Sequence, residues 1–107
     1  MRPITVSRTA TGQTDPIVLD IHGRPEVSLQ VEIDGTSATY TVEQTLDNVF
    51  TNDSPEWFDH PDASLVGATT NQQGNYGYIP FAVRLNVTAV SSATVRLTVI
   101  QAGSARA

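Results

Sequence analysis

The sequence predicts an all-β protein, an antiparallel β-sandwich of jelly-roll type, and three observations predict it. Four segments alternate apolar and polar residues with the period of a half-buried strand: Val27-Ser28-Leu29-Gln30-Val31-Glu32-Ile33, Ala38-Thr39-Tyr40-Thr41-Val42-Glu43, Val83-Arg84-Leu85-Asn86-Val87-Thr88 and Thr94-Val95-Arg96-Leu97-Thr98-Val99. Gly, Pro, Asn and Asp punctuate the chain at short intervals. No segment holds a helical period for longer than a turn or two. At 107 residues the chain reads as one domain spanning 1–107, and a chain of this size buries about two-thirds of its unfolded surface in a single core.

Each element follows in order. Ile4-Thr5-Val6-Ser7-Arg8 reads as a first short strand, and residues 9–14 as a loop. Pro16 opens the apolar run Ile17-Val18-Leu19-Asp20-Ile21, a candidate buried strand. Gly23-Arg24-Pro25 breaks it, because proline cannot donate to a ladder. Asp34-Gly35 is a strong signal for a two-residue hairpin turn. That turn pairs Val31 with Ala38, Leu29 with Tyr40 and Val27 with Val42. A one-residue slip would bury the polar set instead. A second hairpin is expected with a loop near 90–92, pairing Val87 with Val95, Leu85 with Leu97 and Val83 with Val99. Between the hairpins, residues 43–62 hold six acidic residues, no arginine, and Phe50, Trp57 and Phe58, the last two between Pro55 and Pro61. This reads as a long acidic-aromatic loop between sheets, of the kind that is functional or internally packed. Ser64-Leu65-Val66-Gly67-Ala68-Thr69 reads as a short strand and Asn71-Gln72-Gln73-Gly74-Asn75 as a polar turn. The tail 102–107 is expected to fray without a partner.

Composition narrows the partners. Net charge is −5, which opposes general nucleic-acid binding, since that needs surplus cations to release counterions. All six basic residues are arginine, the side chain suited to bidentate contacts at interfaces; a GC-rich coding bias explains the same count. Charged residues make up 16% of the chain, below the ~25% of ordinary soluble domains, and Thr and Ser fill the polar faces. With no cysteine, neither disulfides nor thiolate metal sites are possible. No apolar run reaches the length of a signal peptide or the roughly 20 residues of a membrane span. The expectation is a soluble protein made inside a cell, with no membrane partner.

Candidate chemistry is sparse. Asp59-His60-Pro61-Asp62 contains metal-ligating residue types, but Pro61 splits the cluster and His22 is remote in sequence, so a solvated loop is the expected reading. Asp20 and His22 alternate on a strand, and Ser7 or Ser28 would have to complete a triad, yet no nucleophile-elbow pattern is present. The sequon Asn86-Val87-Thr88 falls mid-strand without a secretion signal. No catalytic residue, metal or cofactor is therefore expected. Trp57-Phe58 with Tyr76 and Tyr78 offers an aromatic platform for sugar or peptide. The competing reading fills the core with aromatics; it is favoured for Phe58 and Phe81 and leaves Trp57 and Tyr76 open.

One resemblance adds a role. Tyr40-Thr41-Val42-Glu43-Gln44-Thr45-Leu46-Asp47, then Trp57-Phe58, Gly74-Asn75-Tyr76, Val83-Arg84-Leu85-Asn86-Val87-Thr88 and Val95-Arg96-Leu97-Thr98-Val99-Ile100-Gln101 together resemble short β-sandwich virion accessory proteins of tailed bacteriophages. The resemblance covers about residues 27–101. It implies a structural virion protein made in the host bacterial cytoplasm and no enzyme activity. The first expectation is a capsid decoration or cement protein that binds the major capsid protein, as a homo-oligomer or lattice component. The alternatives are a neck, tail-attachment or fibre-anchoring virion protein, or a carbohydrate or host-surface binding module. The expected contact surface combines the terminal segments 1–8 and 102–107 with residues 50–62. Its candidate residues are Phe50, Trp57, Phe58, Tyr76 and Tyr78 with Arg2, Arg8 and Arg106.

Overall fold

Two long strands organise the chain in the computed structural model, which describes residues 3–22 and 26–101. Seven strands occur among the described residues: β1 (Ile4–Arg8), β2 (Gly12–Gln13), β3 (Ile17–Val18), β4 (Val27–Thr45), β5 (Phe58–Asp59), β6 (Gln72–Tyr76) and β7 (Ala82–Gln101). They form an all-β, open antiparallel sheet. β4 and β7 pair along their whole length, from Val27 opposite Gln101 to Thr45 opposite Ala82. β1, β2 and β3 line the far edge of β7, and β5 and β6 line the far edge of β4.

This ribbon cannot be straight. A strand of 20 residues would run about 66 Å if fully extended, whereas the longest dimension of the molecule is 40 Å. The middle of the ribbon carries the irregularities that a bend needs. Gly35 takes φ +137° and Ser92 takes φ +48°, and Gly35 pairs with Ala93, next to Ser92. A Cβ on Gly35 would strike the Ser92 carbonyl and the Ala93 backbone, so this glycine answers both a backbone angle and a close approach. Four residues on, β7 contributes one extra residue, Thr88, at a bulge opposite Thr39 and Tyr40. Burial on β4 changes register across the same stretch: Val27, Leu29 and Val31 are buried, then Ala38, Tyr40 and Val42.

One core gathers both arms of the ribbon. Leu29, Val31, Val95, Leu97 and Val99 join Tyr40, Val42, Val83, Leu85 and Val87 in a single cluster with Leu65. Each such side chain contributes about 1.5–3 kcal/mol when fully buried. Buried side-chain nitrogen and oxygen atoms all have hydrogen-bond partners among the described residues. The Tyr40 hydroxyl donates to the Thr70 carbonyl at 2.7 Å, and burial pushes its pKa up to about 12. Gln101 clamps the backbone of Asp20, accepting from its N–H and donating to its carbonyl, both at 2.8 Å.

The two expected hairpins are not formed. Val31 pairs with Leu97 rather than Ala38, and Leu85 pairs with Val42 rather than Leu97. A two-residue turn of the expected kind needs positive φ at both central residues, and Asp34 does not have it. Apolar-on-apolar matching did not discriminate, because Leu29–Val99 and Val42–Leu85 satisfy it as well as the local pairs would. Smaller corrections follow. The segment 71–75 is mostly strand β6 rather than a turn, and 64–69 is a 3-10 turn at Ala63–Leu65 with one bridge from Ala68 to Tyr40. The run 17–21 narrows to β3, although Leu19 stays buried and donates its N–H to the Phe81 carbonyl at 3.0 Å. The break at 23–25 lies outside the described residues.

Candidate functional site

The strand ends Gln44–Thr45 of β4 and Ala82–Val83 of β7 meet the acidic-aromatic segment at one end of the sheet. Gln44 pairs with Phe58 of β5 and with Val83 of β7. Cross-strand partners share a face, so Phe58 lies at the mouth of the core. Gln44 locks this mouth: its amide nitrogen donates to the Asp59 carbonyl at 3.1 Å, and its oxygen accepts from the Tyr76 hydroxyl at 2.8 Å. Burial raises the Tyr76 pKa, and the neighbouring Tyr78 adds to that. The Phe81 N–H donates to the Thr45 carbonyl at 2.8 Å. Thr45 Oγ1 accepts from the Asp47 N–H at 3.0 Å, and the Asp47 carboxylate accepts from the Glu56 N–H at 2.7 Å. That last contact ties the two ends of the excursion together.

A cleft of about 370 Å³ opens here, lined by Gln44, Thr45, Leu46, Asp47, Glu56, Phe58 and Tyr78. Leu46 is 71% exposed, Phe58 61% and Tyr78 43%. Phe50, 74% exposed, stands edge-on to Phe81 with ring centres 6.0 Å apart. Seven large apolar side chains are exposed among the described residues, and four of them gather at this end. Asp47 and Glu56 line the cleft beside them, and residues 46–59 carry no basic residue. The nearest cation is already engaged. Arg84 Nε donates to Glu43 Oε1 at 2.7 Å, and its guanidinium sits 4.1 Å above the Trp57 ring.

The structure separates the expected contact residues. Phe50, Phe58 and Tyr78 are exposed at this end, so Phe58 is not the core residue the sequence favoured. Tyr76 is 3% exposed and belongs to the core, where its hydroxyl satisfies Gln44. Trp57 is half-buried beneath Arg84. Tyr76, Trp57 and Tyr78 therefore present no common aromatic platform. Arg8 folds back onto its own loop, donating from two nitrogens to the Thr11 carbonyl at 3.1 and 2.7 Å. Arg2 and Arg106 lie outside the described residues. Leu46 and Asp47 fall outside the expected contact surface, whose segment 50–62 includes Glu56. No local signal marks Leu46, and only the fold brings it and Asp47 beside Tyr78.

His60 is not available as a ligand. It is 4% exposed. Its Nδ1 accepts from the Asp62 N–H at 2.9 Å, and its Nε2 lies 3.0 Å from the Asn75 carbonyl. A carbonyl only accepts, so Nε2 carries the proton and both nitrogens are occupied. Burial lowers the His60 pKa; the Asn75 bond and the Asp62 carboxylate oppose it. Asp62 itself is held low by the N–H and hydroxyl of Ser64. Asp20 accepts from the backbone N–H of His22 and assembles no triad. Among the described residues, no three His, Cys or acidic side chains are grouped to hold a metal ion.

Comparison with known proteins finds no matching family model, no similar curated protein and no similar solved structure.

Proposed function

We propose that this protein is a structural accessory protein of a tailed-bacteriophage virion, a capsid decoration protein in the first instance. On this reading it works by packing against the major capsid protein or another virion protein. It needs no cofactor and performs no catalysis. The observation that carries the reading is the exposed group of Leu46, Phe50, Phe58 and Tyr78 at one end of the sheet. Exposed apolar groups rimmed by polar residues mark interaction sites. The resemblance of residues 27–101 to virion accessory proteins supplies the setting. We also propose that the two arms of the ribbon face each other as a jelly-roll-like sandwich; the single core shared by both arms supports this. Methyl contacts in NMR between Leu29 and Val42 or Leu85 are expected in a sandwich, and an open sheet would not give them.

The functional test is composition. The protein is expected in purified virions at a fixed copy number per particle, in the hundreds for decoration and at a small symmetric number for a neck or tail position. Absence from intact particles would overturn the virion reading. Binding to glycans by isolated protein would favour a host-surface module instead.

A further inference from the structure

We infer that the cleft between Leu46, Phe58 and Tyr78 is a docking site for a partner segment that presents an apolar side chain next to an arginine or lysine. The inference deepens the structural reading above and rests on it for the biological setting, while its chemistry stands on the cleft. An apolar side chain fits because the walls are an aliphatic chain and two rings, all exposed. A neighbouring cation fits because the carboxylates of Asp47 and Glu56 line the same cleft. Neither acid has an ion-pair partner among the described residues; the two ion pairs there are Arg84–Glu43 and Arg96–Glu32. Charge complementarity therefore points outward, to a cation the described fold does not supply.

The cleft is also held in shape before any partner arrives. Asp47 closes the excursion onto Glu56, and Gln44 fixes β5 to Tyr76. Little ordering remains to be done on binding, which favours a short linear segment as the occupant.

Synthetic peptides test this with the full-length protein. Three capped peptides differ at two central positions: Leu-Arg, Leu-Glu and Ser-Arg. The Leu-Arg peptide is expected to shift the amide resonances of residues 44–47, 56–58 and 78, and to bind at least tenfold more tightly than either of the others. Glu56→Arg should reverse the preference toward the Leu-Glu peptide. Glu56 is exposed and its side chain has no ion-pair partner among the described residues, so the variant should fold. Equal binding of all three peptides, or shifts elsewhere on the surface, would overturn the inference. So would concentration-dependent dimerisation abolished by Glu56→Arg, because a second copy would then be the occupant. If Glu56→Arg enters virions at the wild-type copy number, the docking site fails and the virion role stands. If the Leu-Arg peptide binds as expected but wild-type protein is absent from virions, the virion role fails and the site stands.

Discussion

The two arms of the β4–β7 ribbon use one sequence grammar and end up in different surroundings. In the arm built from residues 27–33 and 95–101, the outward side chains are Ser28, Gln30, Glu32, Arg96, Thr98 and Ile100, which meet solvent wholly or in part. Its ion pair, Arg96–Glu32, is close to half exposed on both sides. In the arm built from residues 38–45 and 82–90, the equivalent positions are buried or half-buried except Thr88, which stays exposed. Thr41 and Thr45 are buried and accept from Gly67 and Asp47. Arg84–Glu43 is mostly buried and carries Trp57 on its face. The difference comes from the segment 46–68, whose Asp47, Trp57, His60, Gly67 and Ala68 all contact this arm. Uncharged Thr-rich strands tolerate both fates, because a threonine hydroxyl is satisfied equally by water or by a loop N–H.

The largest effect on this comparison should come from the bend that separates the arms. Gly35→Val combines positive φ with collision against β7 and should cost about 3 kcal/mol. Chemical denaturation measures it directly; a wild-type midpoint would mean that the ribbon passes the bend without needing glycine. Next come the two ion pairs. Arg84→Ala leaves a mostly buried Glu43 uncompensated and should cost about 2 kcal/mol. Arg96→Ala should cost under about 1 kcal/mol, as exposed pairs do. Equal costs would erase the distinction between a covered and a bare arm. Trp57→Ala removes the ring from Arg84 and should cost about 1 kcal/mol, with the sheet intact by circular dichroism.

His60 provides a pH-dependent probe of the covered arm, since its N–H donates to the Val42 carbonyl at 2.8 Å. Burial holds its folded pKa below the ordinary 6.5. The unfolded chain therefore binds more protons than the folded one below that value. Stability is full above pH 6.5 and declines as pH falls toward the folded pKa. Melting temperature should drop between pH 7.5 and 5.5 in the wild type and drop less in His60→Gln. An equal drop in both proteins would assign the effect to other groups.

Much of the strand content was legible and the pairing was not. Alternation placed Leu29, Val31, Val42, Leu85 and Leu97 in the core correctly, because burial depends on period alone. The partner of each strand depends on which segment the chain brings back, and two apolar-matched registers were open at Val31. Asp34-Gly35 favoured the local one on turn chemistry, yet the glycine serves a bend within one strand. At the candidate site, Phe50 and Tyr78 are exposed. Tyr76 is not, because its register opposite Val27 turns it inward. Leu46 was invisible as a site residue, since nothing local to it announces that Tyr78 lies across the cleft.

The claim that the covered arm's end is the contact surface can be tested on particles with one matched pair of substitutions. Phe58→Asp places a charge in the cleft, and Thr98→Asp places the same charge on the bare arm. Both positions reach solvent, Phe58 at 61% exposure and Thr98 in part, so both proteins should fold with melting temperatures close to wild type. Copies per virion would be counted by quantitative mass spectrometry. Phe58→Asp should fall at least tenfold while Thr98→Asp stays at the wild-type number. The opposite pattern would contradict the assignment and move the contact surface to the bare face of the sheet.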